Sequence, residues 1–300
     1  MKDNDFATVS TPHLVSVGVP AYNRPEGLLH TLECLTAQTY QNLEIIVSDN
    51  ASPGSEVEHV VRSFSEKDCR IKYFKQPINI GASANFKFVL DQANGEYFVW
   101  FSDDDSCENT FIGELVSCLN LHPDVVLAMS DVRAVNDTTS QVSDVRLSSI
   151  SISDCNNNWH FVRKLFFAYP TSNIFFCIYG LYRTENLKQI KINFVSKWKG
   201  ISFATEVPFL AQMALQGRIV SIPKTLKTYL SHNDSIYIKE MARINRFDRF
   251  VRHIEILISL TLIAVRYGKT WNEKIVLGGY PWTLQVSRIT RKLFGNGDNK

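Results

Sequence analysis

The stretch that most restricts how this chain can fold is Gly95-Glu96-Tyr97-Phe98-Val99-Trp100-Phe101-Ser102-Asp103-Asp104-Asp105. Tyr97 to Phe101 are consecutive apolar residues and read as a strand buried on both faces; three carboxylates follow Ser102. Like charges at contact distance raise one another's pKa, so acids crowded at the end of a buried strand are costly unless a cation joins them. Hard divalent ions such as Mg²⁺ and Mn²⁺ take oxygen ligands, commonly one or two carboxylates plus the phosphates of a substrate. One reading is therefore a metal–diphosphate site at the carboxyl end of a strand, where open α/β sheets bind their ligands. The other is a solvated acidic turn capping a helix that starts near Thr110. Both stay open on these residues alone.

The flanking sequence supplies the frame. Leu14 to Val19 read as a first strand ended by Pro20, with Asn23 capping the next helix, Pro25 in its first turn and Leu28, Leu32 and Leu35 on one face. Leu43 to Val47 form a second strand that runs into Ser48-Asp49-Asn50-Ala51-Ser52. A helix with Val57, Val60, Val61 and Phe64 follows, then a strand at Ile71 to Phe74. The turn Asn79-Ile80-Gly81 opens a helix with Phe86, Val89, Leu90 and Ala93. After the opening stretch come a helix with Phe111, Leu115, Val116 and Leu119 and a strand at Val125 to Met129. This alternation with short connections predicts βαβ crossovers and a mainly parallel sheet.

From Asp131 to Asn158 the pattern dissolves into Ser, Asp and Asn, which predicts a loop. A helix around Trp159 to Phe167 and a strand-like run from Phe175 to Tyr182 come next. Glu206 then opens a helix stopped by Gly217, followed by an extended segment ending near His232.

Composition excludes several classes. With 45% apolar residues and a net charge of +2, the chain has ample core material and no overall preference for nucleic acid. The charge is uneven: Lys239 to Lys300 carry 12 Lys/Arg against 5 Asp/Glu, leaving the rest slightly acidic. Six scattered cysteines without C-x-x-C spacing read as core fillers in a reducing compartment and point away from zinc. Met1 to Pro12 is polar, without the apolar run of a signal peptide, and the longest apolar run, Ile256 to Val265, is too short to span a bilayer. The expectation is a cytoplasmic protein.

Several landmarks, in order, resemble glycosyltransferase family 2, whose members have the GT-A fold. Val17 to Arg24 resembles the opening strand and nucleotide-contacting loop, with Pro20, Tyr22, Asn23 and Arg24 at the donor. Leu43 to Asp49 resembles the second strand, whose terminal Asp faces base and ribose. Asn79-Ile80-Gly81 with Asn85, and then Gly95-Glu96-Tyr97, resemble the run into the metal motif. Trp100 to Asp105 is similar in particular to abequosyltransferase-like transferases of bacterial O-antigen assembly. The resemblance covers roughly Leu14 to His232.

It implies an α/β, Rossmann-related sheet flanked by helices. The parts are an N-terminal tail (1–13), a catalytic domain (14–235, with halves 14–130 for the nucleotide sugar and 131–235 for the acceptor) and a helical basic C-terminal region (236–300). The donor would be a UDP-, GDP-, CDP- or dTDP-sugar, and the acceptor a glycan or lipid-linked glycan. The family motif is Asp-x-Asp-Asp; its first Asp falls here on Ser102 and its second on Asp104. The resemblance thus makes Asp104 the main ligand of Mn²⁺ or Mg²⁺, with Asp105 beside it and Asp103 on the nucleotide side.

The family's later acidic pair appears as Thr205-Glu206, and Glu206 stands eleven residues before Gly217, the register of the family's catalytic Asp. Glu206 is therefore the expected general base, and a single displacement implies inversion. His232, in Tyr229-Leu230-Ser231-His232, matches a run that closes over the donor. In the C-terminal region Ile244, Phe247, Val251, Ile254 and Ile258 recur at helical spacing, accompanied by arginines; this face packs on the body or docks on an anionic membrane. A sugar-phosphate nucleotidyltransferase or other Mg²⁺-dependent phosphate enzyme, and a non-catalytic sugar-nucleotide or membrane-surface module, remain alternatives.

Overall fold

A computed structural model of the chain describes residues 12–150, 174–190, 206–231, 243 and 245–267. The first half is the expected βαβ series. It runs β1 (Val15–Ala21), α1 (Pro25–Thr36), β2 (Leu43–Asp49), α2 (Glu56–Ser65), β3 (Ile71–Lys75), α3 (Ala82–Asp91) and β4 (Tyr97–Trp100). There follow β5 (Ser106–Cys107), α4 (Phe111–Leu121), β6 (Val125–Asn136), β7 (Val142–Val145), β8 (Leu181–Arg183), α5 (Thr184–Lys188), α6 (Glu206–Gln216), β9 (Arg218–Ser231) and α7 (Arg246–Tyr267). The strands join in one sheet of order β3-β2-β1-β4-β8-β6-β9-β5, with β7 hairpinned onto β6. β3, β2, β1 and β4 are parallel, and β6 pairs parallel with β9, while β8 lies antiparallel between β4 and β6.

β4 sits near the middle of the sheet, and its side chains alternate between two cores. Phe98 and Trp100 face one, with Ile46, Val89, Tyr182 and Phe209; Tyr97, Val99 and Phe101 face the other, with Val17, Leu28, Leu32 and Leu115. Both sets are fully buried, as a strand covered by helices on each side requires. Trp100 anchors its side by donating its indole N–H to the Phe86 carbonyl at 2.9 Å and by edge contacts with Phe98, Tyr182 and Phe209.

Several expectations are corrected. β1 does not stop at Pro20 but continues to Ala21: pairing with β4 ends at Gly18↔Trp100, so the missing N–H costs no bond on that side. Asn23 does not cap α1; Arg24 holds the cap position, and Asn23 has a positive φ of 53°. The stretch from Asp131 does not dissolve at once, because β6 runs on to Asn136 and turns into β7. Asn136 Oδ1 builds that turn by accepting the Thr138 and Thr139 N–H groups at 3.1 and 2.8 Å. The run Phe175 to Tyr182 is a 3-10 helix over Ile174–Tyr179 followed by β8, not one strand. Among the cysteines Cys118 and Cys177 are buried, but Cys69 is exposed. The helix expected around Trp159 lies outside the described residues.

α7 packs on the body through Ile256, Leu257 and Leu260, while Phe247 and Ile258, of the apolar face read as packing on the body or docking on a membrane, are exposed together with Leu262 and Val265. No helix of the described residues is long and apolar enough to cross a membrane.

The amino-terminal edge of the sheet is held by one buried carboxylate. Glu44 accepts hydrogen bonds from Ser16 Oγ, from Lys72 Nζ at 2.6 Å and from the Asn94 N–H at 2.7 Å, joining β1, β2, β3 and the start of β4. Burial alone would push its pKa up, but these donors outweigh it and hold the pKa down to about 2 against an ordinary 4.5. A folded-state pKa below the unfolded one contributes stability that is complete above about pH 4.5 and fades as the pH falls toward 2. Glu44→Gln is therefore expected to cost about 1–3 kcal/mol in denaturant unfolding at pH 7. Its deficit against the wild-type chain should shrink as the pH is lowered through that window; a constant deficit would show that the charge is not what stabilises.

Candidate active site at the carboxyl edge of the sheet

The parallel register brings three loops to one edge. Ala21 lies beside Asp49, and the residues after Trp100 lie beyond Gly18. Their backbones are fastened to one another. The Asn23 N–H donates to Ser52 Oγ at 2.8 Å, Asn50 Nδ2 donates to Asn79 Oδ1 at 3.1 Å, and the Ile80 N–H donates to Asn50 Oδ1 at 2.9 Å. Asn79 Oδ1 also accepts the Gly81 N–H at 2.9 Å, and Gly81, at φ 84°, turns the chain into α3. Asn50 is thus central to this rim, although the sequence reading used it only as a turn residue. Asp49 is turned inward and only 1% exposed: Oδ1 accepts the Ser52 N–H at 2.8 Å and Oδ2 the Tyr73 hydroxyl at 3.0 Å. In this arrangement it shapes the loop.

The acidic turn is not the solvated helix cap that was one of its two readings. Asp103 and Asp105 are buried, and neither α4 nor its cap residue Thr110 receives a side-chain cap bond. Asp103 Oδ2 accepts the Tyr22 N–H at 2.9 Å; Arg24 pairs with Asp104 and lies 3.8 Å from Asp103 Oδ1. From below, the Thr31 hydroxyl on α1 reaches the carbonyls of Ser102 and Asp105 at 3.1 and 2.9 Å. Burial, and next the charge of Asp104, push Asp103 up to about 7 in spite of the Tyr22 N–H and Arg24. Two adjacent carboxylates, one of them raised by burial and by the charge of the other, suit a hard cation that takes its other ligands from a diphosphate and water. Among the described residues no group of three or more His, Cys, Asp or Glu side chains could hold a metal by itself.

Asp105, expected as a metal ligand, is placed otherwise. Its Oδ1 accepts the Leu230 N–H at 3.2 Å and its Oδ2 lies 3.1 Å from Lys227 Nζ, a lysine buried in β9. The carboxylate points into the protein. Lys227 was missed from sequence: a lysine in a strand of mixed polarity reads as solvent-facing.

Glu206 is the first residue of α6. β9 runs parallel to β6, and both run parallel to β4, since β8 is antiparallel to β4 and to β6. α6 ends where β9 begins, so it runs back along the sheet and starts at the edge that carries the acidic turn. Its Phe209 packs on Trp100 with ring centroids 6.1 Å apart, and Glu206 is one turn earlier. α6 packs against the 3-10 segment Ile174–Tyr179, whose Cys177 thiol is pushed up to about 12, chiefly by burial and in smaller part by the charge of Glu206. His232 lies outside the described residues.

Residues 16–191 match the model of glycosyl transferase family 2, and the chain belongs to that family. It is 36% identical over 107 residues to a GalNAc(5)-diNAcBac-PP-undecaprenol beta-1,3-glucosyltransferase of Campylobacter jejuni, covering 35% of this chain and 34% of that protein. It is 35% identical over 101 residues to the glycosyltransferase GlyA of Streptococcus pneumoniae, covering 34% and 14%. The chain thus spans about a third or less of these curated relatives. Among solved structures, S. aureus TarS 1-349 in complex with UDP-GlcNAc superposes with a TM-score of 0.66 at 18% identity, over 94% of this chain and 76% of that one. Mannosyltransferase PcManGT from Pyrobaculum calidifontis, in complex with GDP-Man and Mn2+, gives 0.56 at 17%, over 97% and 77%. These likenesses show the GT-A fold.

One glycine sets how closely the turn can approach α1. A Cβ at Gly27 would lie 2.7 Å from the Asp103 carbonyl oxygen and 3.1 Å from the Asp104 Cα, both backbone atoms. Helix propensity favours Ala over Gly by about 1 kcal/mol, whereas overpacking costs about 1–3 kcal/mol. We expect the contact to win: Gly27→Ala should lower the melting temperature. A rise in melting temperature would show that the turn yields without cost.

Proposed function

We propose that this chain is a metal-dependent, inverting glycosyltransferase that moves a sugar from a nucleotide-sugar donor to an acceptor hydroxyl. The observation that carries the reading is the placement of Asp103 and Asp104, tied to the Tyr22 N–H and Arg24, on the edge where α6 presents Glu206. Asp103 and Asp104 would hold Mn²⁺ or Mg²⁺, and when bound that cation supplies Lewis-acid neutralisation of the charge on a departing diphosphate. Arg24, about a third exposed at its side chain, adds a second positive charge toward the same phosphates. The Tyr22 ring, 42% exposed, offers a flat apolar face to the base, and the rim from Asn50 to Gly81 closes the nucleotide side. Glu206 takes the proton of the acceptor hydroxyl, whose oxygen bonds to the anomeric carbon as the carbon–oxygen bond to the diphosphate breaks. Attack opposite the leaving group inverts the configuration.

Complexes of the structural neighbours with UDP-GlcNAc and with GDP-Man and Mn2+ support a nucleotide-sugar donor and a divalent ion. The Campylobacter relative, named for an undecaprenol-linked substrate, supports a lipid-linked glycan acceptor in bacterial surface glycan synthesis. The outward Phe247, Ile258, Leu262 and Val265 of α7 suit a peripheral position at the cytoplasmic face of the membrane, where such an acceptor lies.

Asp104→Asn is expected to abolish Mn²⁺-dependent binding of UDP and GDP in calorimetry. Glu206→Gln should keep that binding while kcat falls by about 10²–10⁴; turnover retained in this variant removes Glu206 from the base role. EDTA should eliminate transfer and added Mn²⁺ restore it, whereas full activity in chelator would refute the metal requirement.

A further inference from the structure

Lys227 is 2% exposed and belongs to none of the groups assigned to the reaction. Its Nζ sits between two aromatic faces, 4.0 Å from the centroid of Phe101 and 4.3 Å from that of Tyr179, and 3.1 Å from Asp105 Oδ2. Neither Lys227 Nζ nor Asp105 Oδ2 has an aligned hydrogen-bond partner, so the ion contact and the two rings are what offset burial of this pair. A pair that serves stability alone has little reason to persist, because well-packed apolar residues of similar volume commonly do as well.

The location supplies a different reason. Asp105 directly follows Asp103 and Asp104, and its other oxygen accepts the Leu230 N–H. β5 adds the registers Ser106↔Thr228 and Cys107↔Lys227. Phe101 is the last apolar residue before the acidic turn. Tyr179 ends the 3-10 segment against which α6, the helix opened by Glu206, packs. One ammonium group thus touches the strand before the turn, the last acid of the turn and the segment beside α6.

We propose that Lys227 is a positioning residue, which through Asp105 fixes the peptide of Asp103 and Asp104 in the orientation that receives the metal–diphosphate. The third acid of the motif is in this view an anchor, held back from the cation by its own internal counter-ion. The inference rests on the reading of Asp103 and Asp104 given above.

The test separates holding the fold from aiming the turn. Lys227→Met leaves a buried carboxylate without its cation and should lower the melting temperature. Lys227→Met/Asp105→Asn removes both charges while Asn keeps an oxygen for the Leu230 N–H, and should recover the melting temperature. Calorimetric binding of Mn²⁺ with UDP and with GDP should nevertheless stay about tenfold or more weaker than in the wild-type chain, the usual loss when the residues supporting metal ligands are changed. Amide hydrogen exchange of the peptide spanning 102–107 should be faster. Asp105→Asn alone, which leaves Lys227 between its rings, is the second variant should the double one not fold, and the same weakening is expected. Wild-type binding and exchange in a folded variant overturn the positioning role and leave the proposed function intact. Failure of the wild-type chain to bind either nucleotide with Mn²⁺ overturns both.

Discussion

Everything at the functional edge depends on three successive carboxylates being led out of a buried strand into a place that water scarcely reaches. A buried carboxylate without donors costs more than a single packing contact returns, so each of these acids must find partners in the protein. Their partners come from elements distant in sequence: the Tyr22 N–H and Arg24 after β1, and on β9 the Leu230 N–H and the Lys227 ammonium. The acidic turn therefore cannot take its shape until the sheet has assembled around it. It then holds that shape against the repulsion of its own charges.

The rest of the rim follows the same logic in neutral form. Asn23, Asn50, Ser52, Asn79 and Gly81 link the loops after β1, β2 and β3 by hydrogen bonds, each worth about 1 kcal/mol net. Their value lies less in stability than in fixing the backbone before a donor arrives, because a preformed site has less ordering left to do on binding. The opposite edge is secured separately, by Glu44 and its ring of donors. Strands pinned at one end and tied loop to loop at the other give the site a rigid floor and leave its chemistry to the residues of those loops.

Where periodicity is local, the reading from residues matched the structure. Leu28, Leu32 and Leu35 are buried on α1, Val57 and Val61 on α2, and Tyr97 to Trp100 form a strand covered on both faces. It failed where a neighbour chooses between two locally acceptable states. The apolar run at Phe175 suits a strand or a tight helix, and contacts such as the Tyr182 hydroxyl on the Ile178 carbonyl at 2.9 Å belong to the helical choice. On α7 apolar residues lie on more than one face, so the face that meets the body is set by α6 and not by the pattern. Lys227 gives no signal at all, because nothing in Leu226-Lys227-Thr228 says that Phe101, Tyr179 and Asp105 will surround it.

By itself, then, the order of residues determined the alternating architecture, the buried central strand, the acids at its end and membership in a glycosyltransferase frame. The architecture, the strand and its acids follow from hydrophobic periodicity and short-range spacing, which act within a few residues, while the family is carried by the likeness of ordered motifs along the chain. Only the tertiary structure decided that Asp103 and Asp104 stand together beside Arg24, that Asp105 turns away to Lys227, and that Glu206 starts its helix on the same edge. Those outcomes depend on which distant donors reach each carboxylate, and that is a property of the assembled sheet.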